Sequence, residues 1–366
     1  MKIKISREIL LPALQAANNV VERRQTLPIL SNLLFQVEGK QVRLTATDME
    51  VELNCQIECQ PDTDGAIALP ARKLFDICRA LPADAELLID GSGAKTKVSS
   101  GRSRFSLASM KADEFPSVGA FDAEVNLELD VEVLNDLIES THFAMAHQDV
   151  RYYLNGLLLE LDNDKIRSVA TDGHRLALCE KSVDLAMDEA RQVIVPRKGV
   201  LEIARMMAGN EGKAVLTLGG NHLKVVSGEQ SLTSKLVDGR FPDYERVIPR
   251  ESDHAIIAER EALRAGLSRA SILSNEKFRG IRLILKNNLL TAVAHNPEQE
   301  EAEEEIEIEY QGAEIEVGFN VSYLLDVLGV MRSDMVRLDV VDANSSCLMR
   351  TPDDDSARYV VMPMRL

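Results

Sequence analysis

Apolar side chains recur four positions apart in three separated segments: Leu10 and Leu14 in ISREILLPAL, Leu134 and Ile138 in DVEVLNDLI, Leu263 and Leu267 in EREALRAGL. That spacing places them on one face of a helix and predicts three amphipathic helices. LPARKLFDICRALP, VPRKGVLEIARMM and FNVSYLLDVLGVM echo one another and predict three more. Between the helices the period falls to two, as at Val42 and Leu44 or at Leu157, Leu159 and Leu161, which predicts β-hairpins.

These elements recur in one order: short strand, helix, hairpin, second helix, further strands. LPILSNLLFQVEGKQVRLTATD ends at Asp48, YYLNGLLLELDNDKIRSVATD at Asp172, and the weaker echo KFRGIRLILKNNLLTAVAH at His295. GRSRFSLASMKADEFPSV is echoed in the same way by GEQSLTSKLVDGRFPDYERV. Three such units fill the 366 residues. The reading is α+β, with three similar domains in tandem at 1–122, 125–247 and 248–366, divided by the polar breakers GAFDAE and IPRESD.

Composition adds limits. Apolar residues make up 45% and charged residues 28%, a globular profile, and no apolar run reaches the roughly 18 residues of a membrane span. The opening MKIKISREILLPAL is broken by Arg7, Glu8 and Pro12 and has no small-residue cleavage site, so no signal peptide is expected. Five irregularly spaced cysteines make neither a disulfide framework nor a zinc site and point to a reducing cytoplasm. A net charge of −17 argues at first against nucleic acid. Charge is segregated, however. Residues 298–309 hold eight Glu, whereas 72–79 carry Arg72, Lys73 and Arg79 against Asp76, and 197–205 carry Arg197, Lys198 and Arg205 against Glu202. The 304–309 segment reads as an edge strand with one acidic side.

Candidate chemistry centres on SVATDGHRLAL, residues 168–178, where Asp172 and His174 resemble parts of a metal or catalytic site. The repeat argues otherwise. Asp48-Met49-Glu50 and His295-Asn296-Pro297 occupy the equivalent turns, so Asp172 most simply caps a turn after a strand. A metal-dependent hydrolase using Asp172 and His174 is the alternative, and it needs a third ligand that the sequence does not supply. No phosphate loop, HExxH or GxSxG occurs. His142 and His147 are read as helical and solvated or half-buried, and Met206 and Met207 as core. Met362-Pro363-Met364, at the chain end, is expected to dock. Tyr152 and Tyr153, read as adjacent strand residues, face opposite ways, so at most one stacks on a base. A sequence-specific regulator would need a recognition helix, and none of the six helices has that composition.

RRQTLPILSN, GRSRFSL, FAMAHQDVRYYLNG, VATDGHRLA, IVPRKGV, TSKLVDGRFPDY, ILSNEKFRG, NPEQEEAEE, GFNVSY and YVVMPMRL, in this order from end to end, resemble the bacterial DNA sliding clamps, the β subunits of replicative polymerase holoenzymes. The resemblance implies a DNA clamp fold: two chains closing a ring, helices lining the hole and antiparallel sheets outside. It implies a non-catalytic processivity factor without cofactor or metal, acting on double-stranded DNA without regard to sequence. Its partners would be the polymerase catalytic subunit, the clamp loader, other polymerases and repair proteins, held through short peptides.

By the same resemblance, DNA contacts fall on Arg24, Arg72, Gln148, Tyr152 and Tyr153. The peptide groove falls on Leu154, Thr171, Gly173, His174, Arg175, Leu176, Pro242, Arg246, Val247, Asn320, Tyr323 and Ser346, with Met362, Pro363, Met364 and Arg365. A homodimer seam of opposite charge is expected between Arg102 and Arg104 on one side and Glu300, Glu301, Glu303 and Glu304 on the other. Phe105 and Leu107 would meet Ile272 and Leu273 there.

Overall fold

The structure, a computed structural model, describes residues 1–21, 27–119, 121–185, 187 and 189–365. Six α-helices lie among them: α1 (Arg7–Val20), α2 (Ala71–Ala80), α3 (Val131–Glu139), α4 (Arg197–Met207), α5 (Arg260–Ala270) and α6 (Val321–Val330). Each predicted helix is present. In α1 the Ser6 side chain accepts from the Ile9 N–H, capping the first turn, and Leu10, Ala13, Leu14, Ala17 and Val20 form the buried stripe. Pro12, which lacks an N–H, sits on the exposed side of this helix.

The chain divides into two compact units, Met1–Asn135 with Lys198–Leu236, and Asp136–Arg197 with Val237–Leu366. The sequence repeat is threefold, and the middle repeat contributes strands to both units. In the first unit an eight-stranded sheet runs Val125–Asp130, Lys213–Gly219, His222–Ser227, Gln230–Lys235, Val51–Glu58, Gln41–Thr47, Asn32–Glu38, Gly65–Pro70. In the second the order is Arg191–Pro196, Gly156–Asp162, Lys165–Thr171, Arg175–Ser182, Asp354–Val361, Cys347–Thr351, Met335–Asp339, Ile256–Glu259. Each sheet therefore joins four strands of one repeat to four of the next. The joins are antiparallel, with Leu53 opposite Leu232 and Leu176 opposite Val360.

Each unit also holds a smaller sheet. Ser103–Leu107 is an edge strand of the five-stranded sheet of the first unit, and Glu301–Glu307 an edge strand of the four-stranded sheet of the second. In the acidic strand, Ile306 is buried beneath α5 while Glu301, Glu303, Glu305 and Glu307 are exposed. That alternation agrees with the expected one-sided acidic edge. Glu304 falls by the same alternation on the Ile306 side, where its carboxylate pairs with Arg269 of α5 at 2.7 Å, away from Glu301 and Glu303.

Two local expectations are corrected. His142 and His147 lie beyond α3, which stops at Glu139. The Thr141 hydroxyl donates to the Leu137 carbonyl at 2.6 Å, and a 3₁₀ turn over His142–Ala144 follows. Tyr152 and Tyr153 are not strand residues but open a 3₁₀ turn, Tyr152–Leu154. Their rings meet edge-on at 5.8 Å. All five cysteines are free and buried. No helix among the described residues is long and apolar enough to cross a membrane.

Candidate peptide groove and DNA-facing residues

The floor of the candidate groove follows from strand alternation. Leu158, Val169, Leu176 and Leu178 project from three neighbouring strands to one side of the second eight-stranded sheet, and Val360 and Leu348 continue the row across the join. Leu154, Phe241 and Tyr244 pack on these residues, with Tyr153, Val237 and Ile248 half-buried at the margin. The rim is more open: Pro242 and Arg246 are exposed, and Val247 is 39% exposed beside this buried floor. An apolar floor with accessible apolar and polar edges suits an extended peptide carrying a few apolar anchors.

One end of the groove is built on the Asp172–Arg175 turn. Asp172 Oδ1 accepts from the main-chain N–H groups of His174 (2.9 Å) and Arg175 (3.1 Å). Asp48 Oδ1 accepts from Glu50 and Val51 in the same way, at 2.9 and 2.7 Å. Both aspartates are turn caps, as the repeat predicts. Gly173 has φ +89°, and a Cβ there would lie 3.1 Å from the Arg151 guanidinium, so backbone and space both call for glycine.

Arg175 fixes the neighbourhood. Its guanidinium donates to Asp172 Oδ2 at 3.0 Å, Asp326 Oδ2 at 2.5 Å and the Phe143 carbonyl at 2.8 Å, and lies over the Tyr323 ring at 4.6 Å. His174 is exposed, its ring stacked with Tyr323 at 6.5 Å. Burial pushes the Tyr323 phenol above its ordinary range, and the Asp172 charge adds to this.

Thr171 Oγ1 donates to the Arg175 carbonyl at 2.6 Å, and Asn320 caps α6 by accepting from the Ser322 N–H at 2.9 Å. The C-terminal segment closes this end: Met362 N donates to the His174 carbonyl at 2.9 Å, and Met364 N to the Gly318 carbonyl at 2.8 Å. Ser346 Oγ lies 3.0 Å from Met362 Sδ. Pro363 is half-buried and Arg365 exposed.

These placements leave little for a metal. Both Asp172 oxygens are engaged by N–H groups of the turn and of Arg175. Among the described residues no group of three or more His, Cys, Asp or Glu side chains could hold an ion.

Of the residues expected to face DNA, Arg24 lies outside the described residues. Gln148 has φ +58° in a loop held by Asn155, whose side chain accepts from Asp149 N at 2.9 Å and donates to the Asp149 carbonyl at 2.8 Å. Val150 is 95% and Tyr152 59% exposed at the tip, whereas Tyr153 packs against the groove floor. Arg72 is exposed on α2 and lies 3.8 Å from Asp76. The α4 cations are more engaged than the sequence suggests. Lys198 Nζ donates to the Val20 carbonyl at 2.9 Å and pairs with Asp48, Arg205 pairs with the buried Glu202, and Arg197 donates to the Met145 carbonyl at 3.2 Å.

At the two edge strands, Arg102 and Arg104 are exposed, Phe105 half-buried and Leu107 buried within its own unit. Ile272 is 75% exposed and Leu273 half-buried. Glu300, Glu301 and Glu303 are exposed, while Glu304 is engaged by Arg269. Phe241, Leu178, Leu348 and Val360 complete the groove floor and were not singled out from the sequence. Their signal is the alternation from Leu176 to Leu178 and the apolar run before MPMRL.

Tandem α+β repeats joined sheet to sheet, with a buried apolar cluster beneath an open rim as the candidate tether, fit the class of clamps that hold other proteins. Comparison with known proteins shows the family. Residues 1–119, 128–243 and 245–365 match the N-terminal, central and C-terminal domains of the DNA polymerase III beta subunit. The chain belongs to the DNA polymerase III beta subunit family, the DNA sliding clamps, which confer processivity on the polymerase and are not themselves enzymes.

It is 53% identical to the beta sliding clamp of Pseudomonas putida and 48% to that of Escherichia coli K12, with all of both chains covered. Among solved structures it is similar to the Pseudomonas aeruginosa DNA polymerase III beta subunit at 52% identity, TM-score 0.95, and to that of Caulobacter crescentus at 37%, TM-score 0.92, each covering all of both chains. A further Pseudomonas aeruginosa sliding clamp structure, bound to griselimycin, matches at 52% identity and TM-score 0.96 over all of both chains.

Proposed function

We propose that two copies of this chain, each with domains at 1–122, 125–247 and 248–366, close into a homodimeric ring in the cytoplasm. Helices line its hole and sheets form its outer wall. Arg24, Arg72, Gln148, Tyr152 and Tyr153 touch duplex DNA through its backbone, which carries no sequence information, so the ring slides. The observation that carries the reading is the apolar floor of Leu154, Leu176, Leu178 and Val360 beneath an open rim. It captures short peptides of the polymerase, the clamp loader, other polymerases and repair proteins, each through a few buried anchors. The griselimycin-bound relative supports a ligand-holding surface on this fold. The seam joins the Ser103–Leu107 edge of one chain to the Glu301–Glu307 edge of the other, supported by the opposite charges of Arg102 and Arg104 and of Glu301 and Glu303. Five free, buried thiols fit a reducing compartment.

The test is topological. Loaded onto nicked circular DNA, the protein is expected to stay bound through a salt wash and to leave when the circle is cut. Retention on the linear product, or a sequence-dependent footprint, would overturn sliding.

A further inference from the structure

The two eight-stranded sheets repeat each other pair for pair. In the second, Leu158 faces Val169, Val169 faces Leu178, Thr171 faces Leu176, Leu176 faces Val360, and Val360 faces Leu348. In the first, Leu34 faces Thr45, Thr45 faces Asn54, Thr47 faces Glu52, Glu52 faces Thr233, and Thr233 faces Lys224. Phe115-Pro116 follows in the first as Phe241-Pro242 does in the second. The first unit thus contains a structural counterpart of the peptide groove. Its floor has changed chemistry: Val169, Leu176, Leu178, Leu348 and Val360 are replaced by Thr45, Glu52, Asn54, Lys224 and Thr233.

The counterpart is a real recess. A cavity of about 630 Å³ is lined there by Leu34, Thr45, Glu52, Asn54, Phe115 and Lys224, among others. Its polar groups are bonded to one another. Thr45 Oγ1 donates to Asn54 Oδ1 at 2.6 Å, Asn54 Nδ2 donates to Glu52 Oε1 at 3.0 Å, and Glu52 Oε2 accepts the Val118 N–H at 2.8 Å. Thr45 and Glu52 are only 5% and 8% exposed. An apolar anchor entering this recess would strip remaining water from a carboxylate and find little apolar surface in return.

We propose that Thr45, Glu52 and Asn54 are specificity-determining residues that close this second recess to clamp-binding peptides, so that each chain offers one groove although its architecture contains two. The inference rests on the reading of the Leu154–Leu176–Val360 groove as the peptide site.

The experiment titrates the full-length protein with a polymerase C-terminal tail peptide bearing a photo-crosslinker, reading stoichiometry by calorimetry and adducts by mass spectrometry. Wild type is expected to bind one peptide per chain, with adducts near Leu154, Leu176 or Val360. The variant Thr45→Val, Glu52→Leu, Asn54→Leu, Lys224→Leu, Thr233→Val, accepted only if its melt is cooperative, is expected to bind two. A folded variant that still binds one, with wild-type adducts in the expected groove, overturns the inference and leaves the groove reading intact. Wild-type adducts within 45–54 or 224–233 overturn it without any variant. Wild-type adducts in neither groove overturn the groove reading itself, and the inference with it.

Discussion

The main-chain N–H of Met362 donates to the His174 carbonyl at 2.9 Å, so the C-terminal segment is stitched to the Asp172–Arg175 turn. Arg175 remains paired with Val361 on the strand just before, so removing residues 362–366 takes away a groove wall and leaves the sheet join in place. Peptide affinity is expected to fall by about 1–3 kcal/mol for each apolar anchor of the peptide left uncovered, roughly five- to 150-fold in Kd. The dimer should persist. Fluorescence polarisation with a polymerase tail peptide reads the affinity, and an unchanged Kd would place the groove elsewhere.

Ile272 is 75% exposed in a chain whose other large apolar side chains are mostly buried. Together with Leu273 it is expected to be covered by the partner's Ser103–Leu107 edge. Changing both to Ala removes two apolar anchors per seam, about 2–5 kcal/mol in all by transfer arguments. Sedimentation across a dilution series should then show monomer at concentrations where wild type is dimeric. A double variant that stays dimeric at nanomolar concentration would move the seam away from these residues.

The exposed loop beside the groove carries an acid-sensitive contact. The Arg151 side chain and main-chain N–H both bond Asp149, holding its carboxyl down at about 2 from an ordinary 3.8. A depressed carboxyl stabilises the folded loop above its unfolded value, and that contribution is lost as pH falls from about 4 toward 2. Carbon-detected NMR should show Asp149 titrating near 2 and the Arg151 side-chain resonances moving with it. Titration near 4 would mean the pair is not formed in solution.

Much of this architecture is written locally. Leu10 and Leu14, Leu134 and Ile138, and Leu263 and Leu267 give their helices away by spacing alone, and the matching turns at Asp48 and Asp172 reveal a cap where a single copy suggests a catalytic pair. What local pattern misses is set by distant partners. Val360 joins Leu176 only because Asp354–Val361 pairs with Arg175–Ser182 across the repeat boundary. Lys198 reads as one cation of a basic helix until Asp48, from another repeat, is found against it. Tyr153 reads as a strand residue because it precedes a strongly alternating segment, yet Leu154 must turn inward to the groove floor, and the 3₁₀ turn accomplishes that. Glu304 reads with its acidic neighbours until Arg269 of α5 reaches it.

Tyr244 anchors the groove wall that bears Pro242, Arg246 and Val247. Its hydroxyl donates to Glu160 Oε2 and accepts from Arg167 Nη1, each at 2.5 Å, and Arg167 also reaches Glu160 directly at 3.2 Å and pairs with Glu180. Burial, with the bond to Glu160, pushes the phenol well above its ordinary range, so it stays a neutral donor throughout the working pH range. Tyr244→Phe keeps the ring on Leu158 and its neighbours but removes the bridge from the wall to the sheet. Glu160 and Arg167 keep each other, so the loss should be that of hydrogen bonds to charged groups with little left unpaired, about 1–3 kcal/mol of stability. The wall would also be less well fixed, and a less ordered site adds an ordering cost to binding. Peptide affinity should therefore drop about three- to tenfold, on the order of 1 kcal/mol, while the dimer is unaffected. Thermal melts and fluorescence polarisation on the same preparation separate the two effects. A variant that loses stability but binds peptide as wild type does would show that the wall holds its position without the Tyr244 bridge.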